Sequence, residues 1–234
     1  AALLGSDICV ANSHATKSDF LERYNPPSEW DCRVIHWGVD TEMFHPADAP
    51  NGKDTQTILA VGRLAARKGY GSLLRAFAEV KSRRNNTELL IVGRGTLKKK
   101  LEKQAKNLGI SDSVRIDSGM SFEKLAEEFR RADLVVFPSY YEGQGLIPLE
   151  AMASGTAVAT VDHGPLPEMV DDSVGVLFTM GDIDSMSSAI LAILADKNGL
   201  INRGIQGRKR VIDNFTFSGN AEVFSSIYHS LVRD

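Results

Sequence analysis

The sequence predicts an α/β fold built on a doubly wound, mostly parallel β-sheet, followed by a helical C-terminal tail. Short apolar runs alternate with longer helical patterns through most of the 234 residues, and such alternation is typical of consecutive βαβ units. Several apolar runs contain almost no polar position, as expected of strands that helices cover on both faces. With 43% hydrophobic residues, the chain can bury one or two ordinary cores.

The predicted elements follow the chain in a regular order. Strands are predicted at the short apolar runs 57–62, 88–92, 114–117, 133–138, 157–161 and 174–178. Helices are predicted in the crossovers at 70–83, 96–108, 121–131, 147–154 and 165–171. The strand signals then stop, and the tail is predicted to be helical at 182–196, 199–214 and 217–233. Crossovers of these lengths suit a parallel sheet.

The first 40 residues differ from the remainder of the chain. A strand in DICVANS, a helix in HATKSDFLERY and a second strand in CRVIHWGVD precede a polar linker. Two strands and one helix bury too little apolar surface to be stable alone. We therefore interpret 1–40 as the end of another domain, 41–216 as the main α/β domain and 217–234 as a C-terminal helix.

Composition excludes several classes of function. A net charge of −3 argues against nucleic-acid binding, which usually needs a strongly basic surface. Cys9 and Cys32 lie in apolar runs without metal-ligand spacing, so we expect free thiols and a reducing cytoplasm. No apolar run approaches the about 18 residues of a membrane span, and nothing resembles a signal peptide.

A glycine-containing loop between a strand and a helix is the strongest functional signal. The helix is predicted to start near Leu146 or Ile147, and Pro148 is tolerated in its first turn. Backbone N–H groups at such a helix start bind anions, and the helix dipole favours negative charge there. Glycine lets the backbone approach a phosphate or sugar closely. The backbone groups that would face a ligand belong to Gly143, Gln144, Gly145, Leu146 and Ile147.

Two glutamates bracket this loop. Glu150, in the first helical turn, can accept two hydrogen bonds from a ribose cis-diol, and Glu142 projects from the loop about one ligand length away. The spacing matches a nucleotide sugar. The alternative is that Glu142 is a solvated loop residue and that Glu150 is merely matched to the helix dipole, which the glycines and the buried strand argue against.

A cationic cluster follows the first strand of the main sheet in VGRLAARKG. Arg63, next to Gly62, lies just past the strand end, and Lys68 follows five residues later. Both could reach a diphosphate and neutralise the charge that develops on a leaving group. Arg67 is expected to be solvated. Taken alone, the cluster is equally compatible with charges that flank a helix.

Three weaker signals lie nearby. Gly93 and Gly95 form a G-x-G without the full dinucleotide-binding fingerprint. Glu168 follows the strand at 157–161, where it could line a sugar pocket or merely sit on a short helix. Asp182 begins a D-x-D that could bind a divalent metal, but it opens an amphipathic helix, so we interpret it as a helix cap.

Together these segments resemble the C-terminal domain of a large family of retaining glycosyltransferases, the glycosyl transferases group 1, which includes sucrose and glycogen synthases. The resemblance rests on VIHWGVDTEMFHP as an interdomain hinge, VGRLAARKG, IVGRG, and the E-x7-E motif from Glu142 to Glu150 followed by AMASGTAV. It implies a two-domain GT-B fold in which a Rossmann-like C-terminal domain binds the donor. The acceptor then binds mostly to an N-terminal domain, toward which the C-terminal helix at 217–234 is expected to cross back.

The resemblance also implies roles for single residues. Arg63 and Lys68 would hold the diphosphate, Glu142 the donor sugar and Glu150 the ribose. The other implied donor contacts are Gly62, Gly93, Met120 near the base, and the loop residues 143–147. The leaving diphosphate helps to deprotonate the acceptor, so no metal, cofactor or general base is implied. The sequence departs from the family pattern at Gln144, where an apolar residue is common, and at Trp37, where the hinge often has Asn.

The implied function is transfer of a hexose, with retention, from a UDP- or GDP-hexose to a glycan or lipid acceptor. It would take place in the cytoplasm or at the cytoplasmic face of a membrane. The isolated chain is expected to bind the donor with little turnover. Two alternatives stay open: an NDP-sugar epimerase with Glu142 and Glu168 as acid/base carboxylates, and a non-catalytic nucleotide-binding module.

Overall fold

The computed structural model describes residues 5–28, 30–48 and 54–232. Its strands are β1 Cys9–Ala11, β2 Cys32–Val34, β3 Gln56–Val61, β4 Thr87–Val92, β5 Val114–Asp117, β6 Leu134–Phe137, β7 Ala157–Val161 and β8 Gly175–Phe178. Strands β3 to β8 form a parallel sheet in the order β5-β4-β3-β6-β7-β8. The predicted α/β fold with a doubly wound parallel sheet is confirmed.

Helices cover both faces of this sheet. They are α1 His14–Tyr24, α2 Tyr70–Arg83, α3 Lys98–Asn107, α4 Phe122–Arg131, α5 Leu146–Ala153, α6 Ile183–Ala195, α7 Lys197–Asn214 and α8 Phe217–Leu231. Helix α2 packs against α3 and α6, while α5 packs against α4 and α7. Among the described residues, no helix is long and apolar enough to cross a membrane.

Two predicted elements are shorter than the sequence suggests. The helix expected at 165–171 is only a 3-10 turn at Leu166–Glu168, and Pro167 disfavours the α conformation at Leu166, the residue before it. The strand expected in CRVIHWGVD ends at Val34. Beyond it, Ile35 N donates to Ala11 O at 2.9 Å, and an isolated bridge joins Val39 to Thr216.

The strand order creates a crevice at one position of the sheet edge. From β3 the chain adds strands in one direction, through β4 to β5, and then returns to β6 and continues in the other. Strands β3 and β6 are neighbours whose connections leave in opposite directions, and ligands of such sheets bind at the carboxyl ends of this strand pair. The loops that follow β3 and β6 carry VGRLAARKG and the E-x7-E motif.

The N-terminal segment is a small unit beside the main sheet. Strands β1 and β2 pair in parallel, with Cys9 opposite Cys32, and α1 connects them. Both cysteines are free. The domain boundaries, and the expectation that α8 crosses back toward an N-terminal domain, stay predictions.

Candidate functional site

The loops after β3 and β6 meet through a buried ion pair. Lys68 Nζ contacts Glu142 Oε1, and the side chains are only 10% and 14% exposed. The hydroxyl of Ser139 donates to the same carboxylate oxygen. Two residues that are 74 positions apart in the sequence are therefore brought together at the strand pair where a ligand is expected.

The backbone geometry that positions Lys68 depends on Gly69. Residues Ala66–Lys68 form a 3-10 turn, which Gly69 ends with φ +71°. A Cβ at this glycine would lie 2.1 Å from the carbonyl oxygen of Pro138, so a side chain would push the two loops apart. The amide of Tyr140 donates to Arg67 O at 2.8 Å, which fixes the loops to each other.

Arg67 is solvent-exposed, as expected, with 43% of its side chain accessible, but it also contacts the site. Its Nη1 lies 3.6 Å from Glu142 Oε1 and donates to Tyr141 O at 2.7 Å. The 3-10 turn directs Arg67 and Lys68 toward the same carboxylate, which counting residues from the strand end could not show. Arg63 lines the cavity beside them.

These side chains surround a cavity of about 440 Å³, a size typical of small-molecule sites. Its walls are formed by Asn12, Trp37, Gly62, Arg63, Arg67, Lys68, Phe137 and residues 142–147. The structure thus places all three predicted catalytic residues and the predicted loop around one space. Three cationic side chains and one carboxylate give it the charge pattern that a diphosphate and a hydroxyl-bearing sugar require.

The N-terminus of α5 opens into this cavity. The helix begins at Leu146, as predicted, and Gly145 precedes it with φ +98°. A Cβ at Gly145 would lie 2.7 Å from Leu166 Cδ2, so glycine is needed for conformation and for space. The carbonyl of Gly143 accepts hydrogen bonds from Ser13 Oγ at 2.8 Å and Thr16 Oγ1 at 2.9 Å.

Glu150 lies on α5 and is partly buried. Because α5 starts at Leu146, Glu150 begins the second turn of the helix rather than lying in the first. Burial alone raises the pKa of Glu150 to about 7. Protonation of this side chain therefore changes within the physiological range, and hydroxyl donors from a ligand would favour its ionised form.

Two other predicted donor contacts lie outside the cavity wall. At Gly93 a Cβ would be 1.9 Å from Gly62 O, so this glycine allows the ends of β4 and β3 to approach each other. Met120 is partly buried against the hydrophobic core. The roles that the resemblance gives to these residues and to Glu150 stay predictions.

Glu168 connects the N-terminal unit to the main domain instead of lining the cavity. Its carboxylate accepts backbone N–H bonds from His14 at 2.8 Å and Ala15 at 2.7 Å, at the start of α1. His36 Nε2 lies 2.9 Å away. Burial raises the pKa of Glu168, but the hydrogen bonds from His36 and the two amides outweigh it, so the pKa is lowered.

Asp182 is a helix cap, as predicted. Its side chain accepts a hydrogen bond from Ser185 N at 2.9 Å at the start of α6. In the described parts of the chain, no group of three His, Cys, Asp or Glu side chains could hold a metal ion. The D-x-D sequence therefore stabilises a helix start in this structure.

Comparison with known proteins establishes the family. The model of the family described as glycosyl transferases group 1 matches residues 43–210. The chain belongs to this family. The E-x7-E segment, the cation cluster after β3 and the whole parallel sheet lie within the matched range.

Individual relatives agree with this assignment. The chain is 33% identical to an MMP α-(1→4)-mannosyltransferase of Mycolicibacterium hassiacum over 94% of its own length and 53% of that protein. It is 29% identical to a GDP-mannose-dependent α-(1-6)-phosphatidylinositol monomannoside mannosyltransferase of Mycolicibacterium smegmatis, over 90% of its own length and 59% of that protein. The structure of sucrose-phosphate synthase from Thermosynechococcus elongatus superposes with a TM-score of 0.86 and 28% identity, covering 98% of this chain and 59% of that one. The chain thus spans little more than half the length of these relatives.

Proposed function

We propose that this chain is the donor-binding half of a retaining glycosyltransferase, and that the whole protein transfers a hexose from an NDP-hexose to a glycan or lipid acceptor. The main support is that Lys68, Arg67 and Glu142 meet the N-terminus of α5 around one cavity at the β3–β6 crevice. Relatives named as mannosyltransferases, one of them GDP-mannose-dependent, support a hexose donor. GDP-mannose is therefore the first donor to test.

In the proposed reaction the protein holds the leaving diphosphate by charge. Arg63, Arg67, Lys68 and the amides at the start of α5 stabilise the negative charge that grows on the diphosphate as the glycosidic bond breaks. Lys68 is paired with Glu142, and a diphosphate offers it a partner of higher charge. Glu142 can then accept hydrogen bonds from sugar hydroxyls, and Glu150 is proposed to bind the ribose.

Charge neutralisation by these side chains makes a metal unnecessary in the proposal. Location in the cytoplasm or at the cytoplasmic face of a membrane is also part of it, and the two free cysteines support a reducing compartment. Binding of the acceptor by a further domain follows from the family resemblance and is likewise proposed.

The structure argues against the epimerase alternative, because Glu168 is not available as the second acid/base carboxylate. Such an enzyme needs acid/base groups on opposite sides of the sugar, and Glu142 and Glu168 were its candidates. Glu168 is instead engaged by two backbone amides and His36. We therefore do not propose isomerisation.

Calorimetric titration of the chain with GDP, GDP-mannose, UDP and UDP-glucose tests the proposal. We expect at least one nucleotide and its sugar conjugate to bind, and Lys68→Ala to weaken that binding about tenfold or more because a buried charge pair with phosphate is lost. Lys98→Ala is the matched control, since Lys98 also pairs with a glutamate, Glu102 at 3.9 Å, but on the exposed surface of α3. Absence of all nucleotide binding, or equal effects of the two variants, would refute the donor site. Tight binding of free nucleotide without any NDP-sugar would indicate the non-catalytic module.

A further inference from the structure

The buried side-chain amide of Gln144, in the loop before α5, holds the backbone of Trp37. Trp37 N donates to Gln144 Oε1 at 2.6 Å, and Gln144 Nε2 donates back to Trp37 O at 2.8 Å. Gln144 is only 3% exposed. A side-chain amide that satisfies both backbone groups of one residue holds that residue in a single orientation relative to the loop.

The residues after Trp37 are fixed as well. A Cβ at Gly38 would lie 2.4 Å from the carbonyl carbon of Thr216, so the backbone contacts the start of α8 directly. Val39 N donates to Phe215 O at 2.9 Å. The segment from 37 to 39 therefore has little freedom to move, whatever its side chains do.

Trp37 is a half-exposed residue at the donor cavity. It is 53% exposed and lines the same cavity as Lys68 and Glu142. The other tryptophan of the chain behaves differently, because Trp30 stacks on Phe20 with ring centroids 5.1 Å apart. Burying an indole is strongly favourable, so leaving Trp37 half exposed at an open cavity is not explained by the packing of this domain.

A flat apolar surface next to hydroxyl-binding groups suits a sugar. A pyranose ring has a C–H face that packs on aromatic rings, while its hydroxyls need acceptors such as the Glu142 carboxylate. The cations that suit phosphate are on the opposite loop, at 63–68. Trp37 lies beside Gln144, on the side of the cavity formed by the N-terminal segment and the α5 loop.

We infer that the indole of Trp37 is a stacking platform for a sugar ring at the mouth of the donor cavity, and that Gln144 is the positioning residue that holds it there. The inference rests on the proposed function. The ring is either the hexose of the donor or a saccharide acceptor that approaches it, and both present the same C–H face. A nucleobase is the competing occupant that the test must exclude.

Fluorescence of Trp37 reports on the platform directly. The chain has two tryptophans, so Trp30→Phe leaves Trp37 as the single indole and preserves a ring against Phe20. This variant is titrated with GDP and GDP-mannose, and with UDP and UDP-glucose. Methyl α-mannoside and maltose are then added to the nucleotide-saturated protein. We expect either the sugar conjugate or the free saccharide to change the emission beyond the change that the nucleotide alone produces.

Two substitutions separate stacking from a structural role. The sugar contributes to affinity by the ratio between the Kd of the nucleotide alone and the Kd of its sugar conjugate. In Trp37→Asn we expect this contribution to fall about three- to tenfold, as loss of one aromatic contact predicts. The Kd of the nucleotide itself should stay within about twofold. Trp37→Phe should recover most of the loss because it keeps a ring. A donor platform shows this pattern with the sugar conjugates, and an acceptor platform shows it with the saccharides.

The outcomes that overturn the inference differ from those that overturn the proposed function. If nucleotide binds but the emission responds to nucleotide alone or to no sugar, the platform is refuted and the donor site stands. An unchanged sugar-dependent affinity in Trp37→Asn has the same meaning. If Trp37→Asn fails to fold, Trp37→Phe and the emission titration still decide. Absence of any nucleotide binding would refute the donor site and the platform with it.

Discussion

Glu150→Gln should make the protein more stable at alkaline pH and weaker in binding nucleotide. Burial raises the pKa of Glu150 from an ordinary value of 4.5 to about 7. The folded protein therefore holds a proton that the unfolded chain has lost between these two pH values. The stabilising contribution is fully present below about pH 4.5 and is lost as the pH rises through 7.

The magnitude follows from the two pKa values. Each unit of pKa difference corresponds to about 1.4 kcal/mol, so ionised Glu150 lowers the free energy of unfolding by about 3 kcal/mol above pH 7. About 2.5 kcal/mol of this loss falls between pH 5 and pH 8.5. The Gln variant has a side chain of the same shape that does not titrate, so it should not show this part of the pH dependence.

Urea unfolding of both proteins at about pH 5 and pH 8.5 measures the effect. The difference in unfolding free energy between variant and wild type should shift by about 2.5 kcal/mol in favour of the variant at the higher pH. Glu102→Gln on the surface of α3 is the control, and its difference from wild type should stay nearly constant. A shift below about 0.5 kcal/mol for Glu150→Gln would refute the burial argument.

Further predictions concern the loops and the ligand. Gly69→Ala should destabilise the protein by about 2 kcal/mol more than Gly109→Ala in urea unfolding, because both glycines have φ +71° but only a Cβ at Gly69 would meet Pro138 O, at 2.1 Å; equal losses would contradict this. Gln144→Leu should lower the free energy of unfolding by about 2 kcal/mol, since it leaves Trp37 N and O without their partner. An unchanged urea midpoint would show that these two hydrogen bonds do not stabilise the protein. Calorimetric nucleotide affinity should be the same with EDTA or with Mg²⁺, because cationic side chains neutralise the diphosphate, and a strong dependence on Mg²⁺ would disprove the metal-free proposal.

The strands of the sheet were predictable because each strand is indicated by residues that are adjacent in the sequence. Strands such as β3, β6 and β7 are short apolar runs that are almost wholly buried, and the prediction placed each boundary within one or two residues. The start of α5 was predictable for the same reason, since glycines and a proline mark it within a few residues. The predicted helix at 165–171 was wrong because the apolar pattern took no account of Pro167, which disfavours the α conformation at Leu166.

Contacts between distant segments were not predictable from spacing. Glu168 and His36 are 132 positions apart, and neither sequence context indicates that the carboxylate holds the start of α1. The contact of the exposed Arg67 with Glu142 was not predicted because the 3-10 turn that directs this side chain to the carboxylate has no clear sequence signal. In each case the decisive interaction depends on the strand order, which brings the ends of β3 and β6 together.

The two departures from the family pattern are one structural feature. An apolar side chain at 144 could be buried but could not bond to the backbone of residue 37. The part-buried N–H and C=O of Trp37 would then lose their partners, which costs up to about 1–3 kcal/mol for a group that water cannot reach. Gln144 supplies both bonds and thereby fixes the residue whose indole enters the cavity. The amide explains why Trp37 is held in place although its ring has little packing of its own. The inferred stacking platform therefore rests on one pairing, that of the Gln144 amide with the backbone of Trp37, rather than on two independent departures.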